Sequence, residues 1–202
     1  MVIQHILFRR ALQEEGIEIV DDHINHSIPK NFNNKIEYPF VFPKSFLEEV
    51  KNLNYSKTYD YFFAGTLGCK GDHRNYLRSW NKPNSLIITP SENGFIHPNN
   101  APSGYYGENY FNSKYFQQLA NTKFALAPGG CSYDKEKDFF AWTYRFWEAI
   151  LVKAIPITNE PDKNLHSGYK FYSLEDEHIY REDWVEHNYN KLKKENFIWI
   201  KD

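Results

Sequence analysis

The stretch that decides the fold reads TKFALAPGG over residues 122–130 and, after a charged insertion, TYRFWEAILVKAIPIT over residues 143–158. The apolar run at 123–127 predicts a buried strand, which the following Pro-Gly-Gly ends. The second segment predicts a helix over 142–153 and then a strand over 154–158. A strand, a glycine-rich break, a helix and a strand in this order are typical of a parallel α/β sheet.

The same alternation extends over most of the chain. Its further predicted elements are helices at 2–15, 45–53, 72–80, 112–121 and 182–194, strands at 17–20, 58–64, 85–89 and 197–200, and a connecting loop at 25–44. The pattern predicts the α/β class, with a Rossmann-like parallel sheet and helices on both faces. Folds of this kind bind ligands in the loops past the carboxyl ends of the strands.

Composition narrows the classes of protein that fit. The 202 residues include 24 Lys plus Arg against 26 Asp plus Glu, so no overall positive field favours non-specific nucleic-acid binding. The two cysteines are too few for a disulfide framework. The sequence has no apolar stretch long enough for a signal peptide or a membrane span, and we therefore expect a cytoplasmic protein.

The start of the helix predicted at 142–153 carries candidate chemistry. Arg145 and Glu148 are three positions apart and share one face of that helix. A helix N-terminus attracts phosphate, and the planar fork of Arg145 suits diphosphate oxygens. Glu148 can accept hydrogen bonds from both ribose hydroxyls, and we expect it to face the cleft. A plain surface ion pair is the alternative, and the flanking Pro-Gly-Gly and Ile-Pro segments favour nucleotide binding.

The segments FFAG (62–65), RNYL (74–77) and the stretch from 122 to 157 together resemble the nucleotide-binding core of exostosin-like enzymes, glycosyltransferase family 47. The resemblance covers roughly residues 58–160 and implies a GT-B-type domain that binds a nucleotide-sugar donor. It implies that Gly65 and Arg74 approach the diphosphate, Arg145 the phosphates and Glu148 the ribose. The full set expected at the donor site is Gly65, Thr66, Arg74, Gly129, Gly130, Thr143, Tyr144, Arg145 and Glu148. Lys153 departs from the family pattern, which has glycine there, and this is tolerable if the turn needs no positive φ.

The resemblance also implies an acceptor side, for which few residues remain. We divide the chain into a reduced N-terminal segment (1–55) that packs on the main domain, and a nucleotide-sugar-binding domain (56–202). Asp22 and His23 follow a predicted strand and are candidates for the base that deprotonates an acceptor hydroxyl, and we expect this acceptor to be a glycan. A homodimer or a partner subunit is a further expectation for completing the acceptor site. No Asp-x-Asp triplet occurs, so we expect no metal and no cofactor.

Two other functions fit parts of the pattern. A fucosyltransferase-like GT-B enzyme has a similar order of strand, helix and Ile-Pro pair. The Tyr-x-Thr-Glu-Lys type of run that is usual in such enzymes is missing from this sequence. A non-catalytic module that binds a nucleotide or glycan is favoured by the short N-terminal segment. Transfer or hydrolysis of a sugar nucleotide by the purified chain separates the enzyme from the module.

Overall fold

A computed structural model of the protein describes residues 44–65, 67, 74–88, 113–128, 133–134, 139–140, 144–159 and 166–196. In chain order the elements are α1 (Lys44–Lys51), β1 (Tyr59–Ala64), a 3-10 helix (Asn75–Ser79), β2 (Ser85–Ile88), α2 (Ser113–Ala120), β3 (Thr122–Leu126), β4 (Tyr133–Asp134), β5 (Phe139–Phe140), α3 (Tyr144–Leu151), β6 (Ile155–Ile157) and α4 (Glu182–Asn196). The elements predicted at 2–15, 17–20 and 197–200 lie outside the described residues.

The main sheet has four parallel strands in the order β2-β1-β3-β6. Tyr61 of β1 pairs with Ser85 on one side and with Phe124 of β3 on the other, and Phe124 in turn pairs with Ile155 of β6. Strands covered on both faces read as continuous apolar runs, which is how β1, β3 and β6 read here. The predicted α/β class with a parallel sheet is therefore confirmed.

Each face of the sheet contributes to a separate apolar cluster. On one face, Phe62 and Ala125 pack with residues of the three helices α1, α2 and α3. On the other face, Phe63 and Leu126 pack with Leu77 of the 3-10 helix and with Val185 of α4. The sheet thus forms the middle layer of the described domain.

The direction of winding reverses beside β1. The crossover from β1 to β2 carries the 3-10 helix on the Phe63 face, and the next crossover, from β2 to β3, carries α2 on the opposite face. The connections that leave β1 and β3 therefore run over opposite faces of the sheet. Open α/β sheets bind ligands at the carboxyl ends of two such adjacent strands. We call the carboxyl ends of β1 and β3 the switch-point edge.

Part of the predicted N-terminal segment packs on this domain. Leu47 and Val50 of α1 contact the cluster that includes Phe116 and Leu119 of α2. Tyr55 donates a hydrogen bond to the Val50 carbonyl oxygen at 2.9 Å, which ties the end of α1 to the chain that enters β1. The region from residue 44 to β1 is therefore joined to the sheet, and residues 1–43 lie outside the described part of the chain.

The turn after α3 has a positive φ at Lys153, a point that the sequence analysis left open. Lys153 has a φ of 59°. Its N–H donates to the Ile150 carbonyl at 3.1 Å, and the Ala154 N–H donates to the Ala149 carbonyl at 2.8 Å. This pair of bonds is a Schellman motif, in which the residue after the helix adopts a left-handed conformation and is usually glycine. The turn does need a positive φ, and a lysine supplies it.

Two local features differ from the sequence prediction. Where the structure describes the helix expected over 72–80, it is a five-residue 3-10 helix, Asn75–Ser79. The charged insertion contains a short antiparallel pair, in which Tyr133 lies opposite Phe140 and Asp134 opposite Phe139. Two-residue strands are too short for their alternation to register as a sequence signal.

Candidate functional site at the switch-point edge

Backbone hydrogen bonds hold the switch-point edge in place. Just past β1, the Gly65 N–H donates to the Ile88 carbonyl at the end of β2, at 3.0 Å. Just past β3, the Ala127 N–H donates to the Ile157 carbonyl of β6, at 2.7 Å. The sheet ladder therefore continues one residue beyond both strands, which fixes the main chain against which a ligand would rest.

Arg145 crosses from one side of this edge to the other. It lies in the first turn of α3, the helix that follows β3, and its Nη2 donates a hydrogen bond to the Ala64 carbonyl oxygen at the end of β1. Its guanidinium carbon lies 4.5 Å from the centre of the Phe63 ring. The residue is 9% exposed. A cation is thus fixed at the end of β1, in contact with both a carbonyl and an aromatic face.

Gly65 makes room for that side chain. Its φ is 159°, a value that residues with a side chain rarely adopt. A Cβ atom on residue 65 would lie 2.8 Å from Arg145 Nη2 and 3.3 Å from the Cζ atom of Phe63. The absence of a side chain at Gly65 is therefore what allows the guanidinium to approach the end of β1.

Glu148 lies one turn further along α3 and does not project into solvent. It is 2% exposed, and its Oε2 accepts a hydrogen bond from the Tyr115 hydroxyl of α2 at 2.7 Å. In the structure its carboxylate is buried against Tyr115, whereas the sequence led us to expect it to face an open cleft. Because Arg145 and Glu148 are both buried, the surface ion pair is excluded as well.

Two further polar residues lie along the chain segments near this edge. Arg74 is 4% exposed and immediately precedes the 3-10 helix in the crossover that leaves the end of β1. Thr158 is 2% exposed, follows β6, and its N–H donates to the Tyr172 carbonyl at 2.9 Å. The contact of Arg74 with a diphosphate remains a sequence-based prediction, and Thr158 adds a polar group at the end of the outer strand.

The remaining predicted site residues are outside what the structure describes. For Tyr144 the backbone is described, as the first residue of α3, and its side chain is not. The others that fall outside the described residues are Asp22, His23, Thr66, Gly129, Gly130 and Thr143. The candidate base and the roles of the glycine-rich segment at 129–130 therefore remain sequence-based predictions.

Tyr115 and Phe63 are contacts of the site that the sequence patterns did not assign. Tyr115 belongs to the apolar face of a short amphipathic helix, and Phe63 belongs to an apolar strand, so both read as core residues. In the structure each is buried and also contacts a charged side chain, Tyr115 that of Glu148 and Phe63 that of Arg145. No local spacing marks such a dual role.

His178 makes structural hydrogen bonds on the face of the sheet that carries Phe63. Its Nε2 donates to the Ser173 carbonyl at 3.0 Å, so its Nδ1 is the acceptor for Lys82 Nζ at 3.1 Å and the Tyr61 hydroxyl at 3.2 Å. Burial, and then the charge of Lys82, lowers the pKa of this imidazole. The neutral ring is therefore the form that fits these three contacts.

Comparison with known proteins leaves the family open. No model of a known protein family and no curated protein matches the chain. Within the described ranges, no group of three or more His, Cys, Asp or Glu side chains is placed to hold a metal ion. In the same part of the chain, no helix combines the length and the apolarity needed to cross a bilayer. The fold and the geometry around Arg145 are thus the basis for a functional proposal.

Proposed function

We propose that the protein is a glycosyltransferase that moves a sugar from a nucleotide-sugar donor to a hydroxyl acceptor, by a metal-independent mechanism of the GT-B type. The observation that carries the proposal is the burial of the Arg145 guanidinium at the switch-point edge. Ligands of open α/β sheets bind at this position, and a buried cation there suits a negatively charged group such as a diphosphate. The resemblance to exostosin-like enzymes is the reason for proposing that this diphosphate carries a sugar.

The role proposed for Arg145 follows from its contacts. A guanidinium has five N–H donors in one plane, and the bond to the Ala64 carbonyl uses one of them and sets the orientation of that plane. The Phe63 ring covers one face of the group. A preorganised cation stabilises the charge that develops on the diphosphate when the bond to the sugar breaks, and it needs little rearrangement during the reaction.

The other parts of the proposal come from the sequence. Arg74 and the glycine-rich segment at 129–130 would contact the diphosphate, and Asp22 or His23 would remove the proton of the acceptor hydroxyl. A glycan is the proposed acceptor, and a second copy of the chain or a partner subunit would complete its binding site. A cytoplasmic location is part of the same proposal.

Binding is the first test, and it uses nucleosides as the matched comparison. We expect a nucleoside diphosphate and its sugar conjugate to raise the melting temperature of the purified chain, and the corresponding nucleoside to raise it less. Arg145→Lys should weaken binding of the diphosphate by about 10-fold or more, since a point charge replaces a bidentate fork, and should change binding of the nucleoside far less. Equal losses for both ligands would show that Arg145 does not contact phosphate.

Activity is the second test. If arginine and main-chain dipoles stabilise the leaving diphosphate, transfer or hydrolysis of the sugar nucleotide should continue in EDTA. Abolition by EDTA with recovery on adding Mn²⁺ or Mg²⁺ would contradict the metal-independent mechanism. Binding of the donor without transfer or hydrolysis, over a panel of glycan acceptors, would instead identify a non-catalytic binding module.

A further inference from the structure

The opposite edge of the sheet, where the strands begin, contains a second polar centre around Lys57. This residue precedes β1 and is partly buried, and its φ is 52°. Its Nζ is surrounded by four main-chain carbonyl oxygens, those of Lys153 at 2.7 Å, Ala120 at 2.9 Å, Thr122 at 3.1 Å and Val152 at 3.4 Å. We call these four oxygens the carbonyl cluster.

The carbonyl cluster is assembled from elements that are far apart in the chain. Ala120 ends α2, Thr122 begins β3, and Val152 and Lys153 follow α3. The last carbonyl groups of a helix lack partners within the helix and carry the negative end of its dipole. Two helix carboxyl ends therefore converge on one point, and such a site attracts a cation.

The chemistry of the cluster favours a compact cation that carries N–H donors. A lysine ammonium has three such donors and no acceptor, which matches a ring of carbonyl oxygens. Burial of the side chain, followed by the charge of Lys153, lowers the pKa of Lys57 to about 7. The carbonyl oxygens act in the opposite direction, since each hydrogen bond or dipole that points at the group stabilises its charged form.

We propose that the carbonyl cluster is a binding site for a primary ammonium group, and that the chain fills this site permanently with Lys57. The bound ammonium ties the carboxyl ends of α2 and α3 to the start of β1. The same two helices are also joined by the hydrogen bond between Tyr115, near the start of α2, and Glu148, in the middle of α3. The Lys57 ammonium thus adds a second tie between α2 and α3, at their carboxyl ends.

The proposal is tested by emptying the site and refilling it. Replacing Lys57 by alanine removes the atoms of n-propylammonium. We expect Lys57→Ala to lower the melting temperature by about 5–10 °C, because several hydrogen bonds to a charged group are lost at once. Added n-propylammonium should recover part of that loss, since a ligand that binds the native state raises its melting temperature. Tetramethylammonium, which has no N–H donors, should not.

Three controls separate a specific site from a general salt effect. Lys57→Met fills the space of the side chain without a charge, and Lys123→Ala truncates a partly exposed lysine that pairs with Asp60. Neither variant, nor the unaltered protein, should respond to n-propylammonium. An equal response in all four proteins would overturn the proposal, and so would a melting temperature of Lys57→Ala within about 1 °C of the unaltered protein, a shift too small for a lost cluster of charged hydrogen bonds.

If Lys57→Ala does not fold, its refolding yield with and without n-propylammonium replaces the melting temperature. The unaltered protein offers a further measurement, the rate at which each lysine is acetylated in the native state. After correction for the fraction of each amine that is uncharged, we expect Lys57 to react about 10-fold or more slowly than the exposed Lys51, because an amine engaged with carbonyl oxygens must leave them before it can react. Equal rates would overturn the proposal even if no variant folds.

Discussion

Replacing Gly65 by alanine tests the arrangement of Arg145 at the switch-point edge. An alanine Cβ would lie 2.8 Å from Arg145 Nη2, whereas ordinary contacts of a Cβ atom begin at 3.4 Å. The guanidinium or the backbone must therefore move by 0.6 Å, the difference between these two distances, to restore an ordinary contact. Residues with a side chain rarely adopt a φ of 159°, so backbone strain adds to the effect.

The size of the effect follows from what the movement disrupts. Overpacking of a buried contact typically costs about 1–3 kcal/mol, and a hydrogen bond to a charged group contributes about 1.5–3 kcal/mol. We expect Gly65→Ala to lower the free energy of unfolding by about 2 kcal/mol, which corresponds to a melting temperature lower by about 4–8 °C in a chain of this size. Circular dichroism during heating measures the stability, and titration calorimetry with a nucleoside diphosphate measures the binding.

A double-mutant cycle identifies the cause of that loss. In the Arg145→Met background no guanidinium remains to be displaced, so Gly65→Ala should cost less there, by about 1 kcal/mol. The strain at a φ of 159° and the Phe63 contact at 3.3 Å remain in both backgrounds and account for the residual cost. Equal losses in the two backgrounds would refute the reasoning, because they would show that the added methyl group does not act through Arg145.

Three further predictions concern stability. Lys153→Gly should raise the free energy of unfolding by about 1 kcal/mol in urea titrations, since glycine adopts a φ of 59° without the penalty of a side chain; a loss would show that the contact of Lys153 with the Tyr189 ring outweighs that penalty. Glu148→Ala should lower the same quantity by about 1–3 kcal/mol through loss of the buried bond from Tyr115, and unchanged stability would contradict the buried position of the carboxylate. The lowered pKa of His178 means that the unfolded chain binds this proton more readily, so its contribution to stability is present above about pH 6.5 and is lost as the pH falls below that value. Urea midpoints at pH 7.5 and pH 5.5 should therefore differ less in His178→Gln than in the unaltered protein, and an unchanged difference would assign the effect to other groups.

The main-sheet strands were predictable because each is an apolar run between turn residues. The predicted ranges 58–64, 85–89, 123–127 and 154–158 correspond to strands at Tyr59–Ala64, Ser85–Ile88, Thr122–Leu126 and Ile155–Ile157. The pattern of a strand buried on both faces is local, and side chains that follow one another in the sequence are enough to specify it. Helix ends were less accurate, as in α3, where the Schellman turn ends the helix before Lys153.

The contacts of the candidate site were not predictable in the same way. Arg145 was selected correctly as a residue of interest, but its bond to Ala64 joins positions 81 residues apart. The partner of Glu148 is 33 residues away on another helix. Lys57, between Ser56 and Thr58, reads as part of a solvated loop, and its surroundings come from two helix ends and a strand. Such contacts depend on how elements dock, which local periodicity does not encode.

The register of the sheet has a consequence for the order in which the protein folds. The pairing of β1 with β2 joins residues 24 positions apart (61 to 85), and the pairing of β3 with β6 joins residues 31 positions apart (124 to 155). The pairing of β1 with β3 joins residues 63 positions apart (59 to 122), so it has the largest loop-closure entropy of the three. Non-local strand pairing is slow, and the two halves of the sheet should form before they dock. Arg145 meets Ala64 across that last junction, so an intermediate with both halves formed but undocked would lack the assembled site.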